Sequence, residues 1–280
     1  MLKKIPDMKG FYNMEQYVLP ILFFVLIGAA AGVLLAVASK LLFVKTDETV
    51  ENITSALPGA NCGGCGYSGC EGYAKAVAEG SAPANLCKPG GPEAVAEISR
   101  ILGIEVVASE REYAYVRCNG NCDACSDKFT YIGTNSCAAI EKFYNGKGNC
   151  SYGCHGMGDC IAVCDNNAIR IEKGIAIINP ELCGGCGKCV KACPNNLIAF
   201  VKESQRYAVR CSSCDVGKVT KAACKNGCIG CGICVRKCPK GAVVLNNNHA
   251  EIIADRCNGC GACMAACPVK CIQELPVCGK

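Results

Sequence analysis

Residues 228–268 read CIGCGICVRKCPKGAVVLNNNHAEIIADRCNGCGACMAACP, and one cysteine spacing occurs in them twice. Each copy has the form C-x2-C-x2-C-x3-C-P, and the cysteines are Cys228, Cys231, Cys234 and Cys238, followed by Cys257, Cys260, Cys263 and Cys267. Three thiolates two residues apart allow one tight loop to hold three corners of a metal cluster. The fourth thiolate precedes Pro239 or Pro268, where the chain leaves the loop, and points away from it.

This spacing is typical of bacterial ferredoxins with two clusters, in which the fourth cysteine of each run binds the other cluster. We therefore predict one [4Fe–4S] cluster on Cys228, Cys231, Cys234 and Cys267. A second cluster is predicted on Cys257, Cys260, Cys263 and Cys238. The alternative is a zinc scaffold, but zinc sites gain nothing from the prolines or from crossed ligands. Zinc without acid-labile sulfide in a metal analysis would support that alternative.

The chain has 280 residues and 29 cysteines. Because the cysteines cluster in C-x2-C runs, metal ligation explains them better than a disulfide scaffold does. Iron–sulfur clusters are built in a reducing compartment, so we expect the globular part in the cytoplasm. The 51% hydrophobic content includes every cysteine, so the apolar core is thin. Folding should therefore depend on the clusters, and the apoprotein should be largely unfolded.

The formal net charge of +5 counts every thiol as neutral. An oxidised [4Fe–4S] cluster with four thiolates carries about −2, so five clusters would bring the holoprotein to about −5. The sequence also has no basic patch with interleaved aromatic residues. We therefore do not expect nucleic acid as a partner.

Residues 18–39, VLPILFFVLIGAAAGVLLAVAS, contain no charge. As a helix they would be about 33 Å long, enough to cross a bilayer. The alternative is a cleaved signal peptide, whose apolar region is normally shorter. Lysines flank both ends, so they do not decide the orientation. The need to build clusters in a reducing compartment decides the orientation instead. It predicts a single-pass anchor in the plasma membrane with the bulk of the chain on the cytoplasmic side.

Residues 57–87 contain a different cysteine pattern, C-x2-C-x4-C-x16-C. The glycines around it allow the backbone to fold close to a cluster and to direct amide hydrogens at sulfur. Short helices are predicted over residues 72–79 and 92–102. A zinc knuckle would be less glycine-rich, so a [4Fe–4S] cluster is predicted on Cys62, Cys65, Cys70 and Cys87.

The chain from about residue 104 repeats itself. Tyr115-Val116-Arg117-Cys118 is echoed by Ala208-Val209-Arg210-Cys211, and the spacing from Cys164 to Cys183 equals that from Cys238 to Cys257. Each of the two spacers predicts a β-hairpin. The copies should therefore be two ferredoxin-like domains.

The earlier copy is irregular at its start, because its first cysteines are spaced more widely than two residues and Asp165 replaces the expected proline. The register predicts one cluster on Cys183, Cys186, Cys189 and Cys164. It predicts another on Cys150, Cys154, Cys160 and Cys193. His155 is a possible substitute ligand, although a position beside the ligands is expected, and His249 is expected to be structural.

Nine cysteines remain outside these five sets. Cys118, Cys122, Cys125 and Cys137 could hold a sixth cluster, whereas Cys211, Cys214 and Cys224 lack a fourth partner. A cluster that draws on both groups is an equal alternative, and buried free cysteine is a third. Cys271 and Cys278 are expected to be spectators.

The sequence shows no dinucleotide-binding glycine loop, no P-loop and no triad-like grouping. Iron–sulfur clusters pass single electrons, whereas nicotinamide accepts a hydride. The chain should therefore conduct electrons without reducing NAD, and a flavin-bearing partner should perform that step.

The order of these modules resembles the B subunit of the Rnf complex, the ion-translocating ferredoxin:NAD oxidoreductase, along essentially the whole chain. The resemblance implies an electron-entry subunit. Reduced ferredoxin would dock on it, and electrons would pass to the integral membrane and flavin-binding subunits while Na+ or H+ crosses the membrane. The alternative is a polyferredoxin subunit of another membrane oxidoreductase, such as a hydrogenase or formate dehydrogenase.

The predicted fold is therefore α+β. It comprises an N-terminal segment over residues 1–45 with a transmembrane helix at about 18–44, a small α-rich [4Fe–4S] domain over 46–105, and ferredoxin-like modules over 106–205 and 206–280. At least five [4Fe–4S] clusters are expected, with six or more as the open alternative.

Overall fold

The structure is a computed structural model, and it describes residues 14–41, 48–107 and 110–276. The lysines at the start of the chain, Lys45 and Cys278 lie outside the described residues. Helix α1 spans Met14–Leu41 and contains Pro20. Among the described residues it is the one helix long and apolar enough to cross a membrane, a test that a signal sequence near an N-terminus also passes. The large apolar side chains along it are exposed.

Residues after Asp47 form a second compact unit. It begins with three helices, α2 at Glu48–Ala56, α3 at Cys70–Ala78 and α4 at Gly91–Leu102. The last two lie where the sequence predicts helices. The core between the helices contains Ile53, Tyr73 and Ile98, each almost fully buried. The Tyr73 hydroxyl donates to the Pro83 carbonyl at 2.8 Å and accepts from the Leu86 N–H at 3.1 Å, which holds the loop before Cys87.

The rest of the unit contains four two-stranded antiparallel sheets. In chain order the strands are β1 Glu112–Val116, β2 Ile169–Glu172, β3 Ile175–Ile178, β4 Ile198–Lys202, β5 Tyr207–Val209, β6 Val243–Asn246, β7 His249–Ile252 and β8 Ile272–Glu274. The β2–β3 and β6–β7 pairs are the two predicted hairpins. Each hairpin is enclosed in sequence by an outer pair, β1 with β4 and β5 with β8.

Short helices connect these strands. They are α5 Cys137–Tyr144, α6 Asp159–Ala162, α7 Lys188–Ala192, α8 Gly217–Ala223, α9 Ile233–Lys237 and α10 Ala262–Ala265. Helices α6, α7, α9 and α10 each follow a glycine in the left-handed region, at Gly158, Gly187, Gly232 and Gly261. The fourth cysteine of each run comes directly after one of these helices or within two residues of its end. The turn thus directs that thiol away from its own loop.

Cysteines form part of the buried cores around these sheets. One core combines aliphatic residues of β1 to β4 with Cys118, Cys160, Cys183 and Cys189, and the other combines those of β5 to β8 with Cys211, Cys228, Cys234 and Cys263. The apolar packing is thus interrupted by groups of thiols, and these groups are the candidate functional sites.

Candidate iron–sulfur sites

Site 1 is the group Cys62, Cys65, Cys70 and Cys87 at the N-terminal end of the second unit. Burial raises the pKa of Cys87, and the neighbouring thiols of Cys70, Cys65 and Cys62 add to that effect. The Asn61 side chain accepts the Cys70 N–H at 2.8 Å and fixes the start of α3. Gly63 and Gly66 have φ of 65° and 90°, which turns the loop back on itself. The structure therefore brings the four predicted cysteines together.

Site 2 is the group Cys164, Cys183, Cys186 and Cys189, which line one cavity. The Cys183 sulfur accepts the N–H of Ala114 in β1 at 3.4 Å. A backbone amide directed at a ligand sulfur stabilises the charged form of a cluster. All four cysteines predicted for this cluster are thus in one place.

Site 3 differs from the sequence prediction. Cys154, Cys160 and Cys193 line one cavity as expected, but the fourth cysteine there is Cys137, at the first position of α5. Burial raises the pKa of Cys160 to about 12, and Cys154, Cys137 and Cys193 are the thiols that add to it. Cys150, which the register argument placed in this set, lines a different cavity. The four cysteines that share this cavity are therefore Cys137, Cys154, Cys160 and Cys193.

The register of the two hairpins explains the revision. Gly156 lies so close to the β2–β3 turn that a Cβ there would be 2.4 Å from the Gly174 carbonyl oxygen. Gly230 has the same relation to the β6–β7 turn, where the Asn248 carbonyl would be 2.7 Å away. Cys154 is therefore equivalent to Cys228, and the position of Cys231 falls on Met157. The loop lacks its second thiol, and Cys137 from α5 takes that place.

Asp159 holds α5 in this position. Its carboxylate accepts the N–H of Cys137 at 2.8 Å and that of Ala138 at 3.0 Å, and the Ser136 hydroxyl donates to it at 3.1 Å. Asp159 is also the first residue of α6 and directly precedes Cys160. One carboxylate thus joins the N-terminus of α5 to the cysteine loop. Sequence reasoning missed both Asp159 and Cys137 at this site. Aligning Cys154-x-Gly156 with Cys228-x-Gly230 would have shown that the loop lacks its second cysteine.

Sites 4 and 5 contain the two runs at the C-terminal end. Cys228, Cys231, Cys234 and Cys267 line one cavity, which is site 4. Site 5 consists of Cys238, Cys257, Cys260 and Cys263; the thiols of Cys257 and Cys238 both neighbour Cys263, and Cys260 is exposed on the same loop. The Cys238 sulfur accepts the Ala242 N–H at 3.3 Å, and the Cys193 sulfur accepts the Leu197 N–H at 3.4 Å. The fourth cysteine is therefore held in the same way in both copies.

Cys271 lies beside site 4. It is almost fully buried, and its sulfur is 3.5 Å from that of Cys267. Its thiol also contacts that of Cys228. The expected spectator therefore touches two of the cysteines proposed as ligands, a contact that the sequence did not indicate.

Neither histidine points to a ligand role. His155 is buried, and its Nε2 is 2.8 Å from a carboxylate oxygen of Glu141. His249 lies at the start of β7, with Nε2 3.2 Å from Glu251. Each histidine ring therefore has a glutamate partner.

The donors at these sites suit a cluster better than a single ion. A zinc ion with Zn–S bonds of about 2.3 Å would bring four sulfurs to within about 4 Å of one another. The thiols instead surround cavities and accept backbone N–H groups. Burial raises the pKa of Cys189 to about 12, so assembly of a cluster must displace thiol protons at neutral pH.

Crossed ligation at sites 4 and 5 leads to a prediction. Cys238→Ser should weaken or remove the cluster of site 5 and leave that of site 4, because the Cys238 thiol lies beside Cys263 rather than in its own loop. Iron analysis of Cys238→Ser combined with Cys263→Ser should show the same loss, about four irons, as either change alone. Cys238→Ser combined with Cys234→Ser should lose about eight. The opposite pattern would show that each run binds its own cluster.

Three stretches match known protein families. Residues 57–89 match the FeS family model, described as an Fe-S cluster, residues 176–199 match the 4Fe-4S binding domain, and residues 227–272 match the 4Fe-4S dicluster domain. These stretches contain site 1, part of site 2 and sites 4 and 5. Site 3 draws most of its cysteines from outside the three matched ranges.

Relatives match over most of the chain. The B subunit of an ion-translocating oxidoreductase complex from Methanosarcina acetivorans is 41% identical over 81% of this chain and 86% of its own. The B subunit of the Na(+)-translocating ferredoxin:NAD(+) oxidoreductase complex from Acetobacterium woodii is 38% identical over 88% and 74%. The chain belongs to the B-subunit family of the ion-translocating oxidoreductase, or Rnf, complexes. Its counterpart in the proton-translocating complex of Clostridium ljungdahlii is 36% identical over 85% of both chains.

Membership in the Rnf B-subunit family settles the choice between the two functions considered from sequence. The chain is a membrane-associated iron–sulfur electron-transfer subunit of an oxidoreductase complex, and the hydrogenase or formate dehydrogenase alternative does not fit its relatives. The one apolar N-terminal helix fits a membrane-anchored subunit. Several iron–sulfur clusters are supported by the matched 4Fe-4S domains.

Proposed function

We propose that this subunit accepts electrons from reduced ferredoxin and conducts them through [4Fe–4S] clusters at sites 1 to 5 toward flavin-bearing subunits of the complex. The observation that supports this most is the succession of cysteine sites in contact. Sites 2 and 3 exchange their fourth cysteines. Cys164 belongs to site 2 but follows the site 3 loop, and Cys193 belongs to site 3 but follows the site 2 loop. Sites 4 and 5 share theirs in the same way.

Site 1 joins this succession at site 2. Gly64, between two ligands of site 1, lies so close to the site 2 loop that a Cβ there would be 3.0 Å from the Cys186 carbonyl oxygen. Lys88, which follows Cys87, forms an ion pair with Glu112 of β1 at 2.5 Å. Its ammonium group also lies 4.3 Å from the centre of the Phe200 ring in β4. These contacts support direct electron transfer between sites 1 and 2.

Each cluster would supply one-electron redox chemistry when bound. The residues of this chain would hold it, exclude water from its buried faces and tune its potential through N–H groups directed at sulfur. Electrons would enter at site 5 and leave at site 1. Site 1 is the part of the succession nearest in sequence to the apolar helix, so it would deliver electrons to the membrane subunits. The helix would cross the plasma membrane once, with the clusters in the cytoplasm.

The surface around site 5 supports entry there. Lys237 and Arg256 directly precede ligands of site 5, Lys240 lies two residues after one, and all three are exposed. Within the described part of the chain, none of the three forms an ion pair. Unpaired cations beside a cluster attract an anionic electron donor and speed its docking. Reduced ferredoxin, with its own negatively charged clusters, fits this surface.

The test uses the full-length chain, purified in detergent without oxygen and mixed with reduced ferredoxin. Cluster absorbance should bleach, and added NAD+ should yield no NADH, because hydride transfer needs a flavin. Triple charge reversal, Lys237→Glu with Lys240→Glu and Arg256→Glu, should slow bleaching by about tenfold at low salt. Iron content should not change. The matched control carries the same change in net charge at exposed lysines of α5 and α8, Lys142→Glu with Lys218→Glu and Lys221→Glu, and should bleach at the normal rate.

Three outcomes would count against the proposal. An absence of bleaching would show that ferredoxin is not the donor. NADH formed by this chain alone would reveal a nicotinamide site. Equal slowing by the control triple variant would show that the effect comes from net charge rather than from the surface around site 5.

A further inference from the structure

The largest group of cysteines outside the five sites lines one cavity, here called the central cavity. Its thiols belong to Cys118, Cys122, Cys125, Cys150, Cys211 and Cys224, and Cys154 of site 3 also contributes to its wall. Its volume is about 140 Å³. By the same measure one water-sized group needs only about 10–15 Å³, so the cavity has room for a group of many atoms.

Both sequence copies contribute to this cavity, and hydrogen bonds between them surround it. The Arg210 guanidinium donates to the Cys118 carbonyl at 3.2 Å, and the Ser212 hydroxyl donates to the Arg117 carbonyl at 3.1 Å. On another side, the Asn226 amide donates to the Asn119 carbonyl at 2.9 Å. The cavity is therefore part of the packed interface between the copies.

Four of its six cysteines occupy equivalent positions in the two copies. Cys118 follows β1 and Cys211 follows β5, each directly after an arginine. Cys150 and Cys224 each come four residues before a site ligand, and each carbonyl accepts the N–H three residues on, at 3.1 and 3.2 Å. Cys122-Asp123 is echoed by Cys214-Asp215, but Cys214 is not in the cavity wall. Cys125 contacts the Cys224 thiol and has no cysteine counterpart in the later copy. The two equivalent pairs thus face one space from two sides.

The charges around the cavity favour an anionic group within it. Arg117 and Arg210 line it, and both are half-buried. Lys147 and Asp127 also line it, but they pair with each other and add no net charge. Neither arginine has a carboxylate partner in the described part of the chain, where Arg210 bonds only carbonyl and amide oxygens. A cation withdrawn from water without an opposite charge is costly. A cluster with four thiolates carries about −2 when oxidised, which would balance the two arginines.

We propose that the central cavity holds a sixth [4Fe–4S] cluster, bound by Cys118 and Cys150 from the earlier copy and by Cys211 and Cys224 from the later one. This site 6 would lie between sites 3 and 4. The Cys228 N–H of site 4 donates to the Cys211 sulfur at 3.2 Å, and the Cys154 backbone of site 3 lies beside the Cys118 thiol. Cys118 and Cys211 are thus each next to a ligand of a neighbouring cluster.

The consequence rests on the proposed function. Without site 6, the two ferredoxin-like copies would have separate pairs of clusters and a gap between them. With it, electrons that enter at site 5 reach site 1 through six clusters in sequence.

The first test counts clusters on the full-length chain in detergent. Iron and acid-labile sulfide should each be about 24 per chain, and native mass spectrometry of the unaltered protein should show six clusters. Cys150→Ala and Cys211→Ala should each lose about four irons, and the double variant should lose no more. Cys214→Ala, which lies outside the cavity wall, is the matched control and should keep all clusters.

The second test follows the fast phase of bleaching by reduced ferredoxin. In Cys211→Ala, sites 4 and 5 should still bleach, but sites 1 to 3 should not, so the amplitude should fall to about one third of that of the unaltered chain. Cys214→Ala should keep the full amplitude. This readout needs no partner subunit and separates a missing bridge from a failure of electron entry.

Several results would overturn the proposal. About 20 irons in the unaltered chain, with five clusters by mass, would remove site 6 while leaving the proposed function intact. Loss of iron in Cys125→Ala but not in Cys211→Ala would exclude the symmetric ligand set. Zinc without labile sulfide throughout would instead refute the proposed function itself.

Discussion

Cys137→Ala is expected to remove one whole cluster, about four irons per chain, although Cys137 lies outside any C-x2-C run. The reason is that α5 places this cysteine in one cavity with Cys154, Cys160 and Cys193. Loss of one of its four thiolate ligands destabilises a [4Fe–4S] cluster, and alanine cannot replace that ligand. The measurement is iron and labile sulfide per folded chain, purified without oxygen.

Double variants make this result decisive. Cys137→Ala with Cys160→Ala should lose no more iron than either change alone, because both residues bind the same cluster. Cys150→Ala with Cys160→Ala should lose about eight irons, because the structure places these residues in different cavities. The reverse pattern would restore the ligand set that the sequence predicted. Asp159→Asn is a milder probe and should keep the iron while making site 3 more labile to a chelator.

Removing the clusters should unfold most of residues 110–276. Each sheet has only two strands, which is marginally stable in water without further packing. The cores that would stabilise them include the thiols of sites 2 to 5. Metal binding therefore supplies much of the folding free energy. In hydrogen exchange, amides of β1 to β8 should come within about tenfold of the unfolded-chain rate after iron is removed.

The N-terminal helical region provides the internal control. Helices α2 to α4 pack around Ile53, Tyr73 and Ile98, a core that contains one cysteine, Cys87, among its buried residues. Its amides should keep more protection than those of the strands when iron is removed. An apoprotein with cooperative unfolding and protected strands would contradict the prediction.

The spacing of cysteines along the chain was enough to predict most of the cysteine groups. In sites 1, 2 and 4 the structure brings together the four cysteines that the sequence grouped, and in site 5 it places Cys238 and Cys257 beside Cys263. A loop with three ligands at fixed spacing has little freedom, and the hairpin between two runs sets the place of the fourth. The two hairpins and helices α3 and α4 were predictable for the same reason, because their signals lie within a few residues of one another.

Site 3 and the central cavity depended on contacts between distant residues. The stretch between Cys118 and Cys150 is longer than that between Cys211 and Cys224, and the additional residues include α5. Nothing in their spacing shows that Asp159 will accept the N–H groups of Cys137 and Ala138 and bring that thiol to site 3. The sequence therefore grouped Cys150 with site 3, whereas the structure places it in the central cavity.

The family and the iron–sulfur chemistry could be predicted from the sequence, because cysteine spacing and an uncharged apolar run express them locally. The sequence did not show which of the remaining thiols lie in the same cavity. Cys118 and Cys150 meet Cys211 and Cys224 through hydrogen bonds such as that from Arg210 to the Cys118 carbonyl, across 92 residues of chain. Such a meeting depends on how two folded copies pack, and packing has no signature in the spacing of either copy alone.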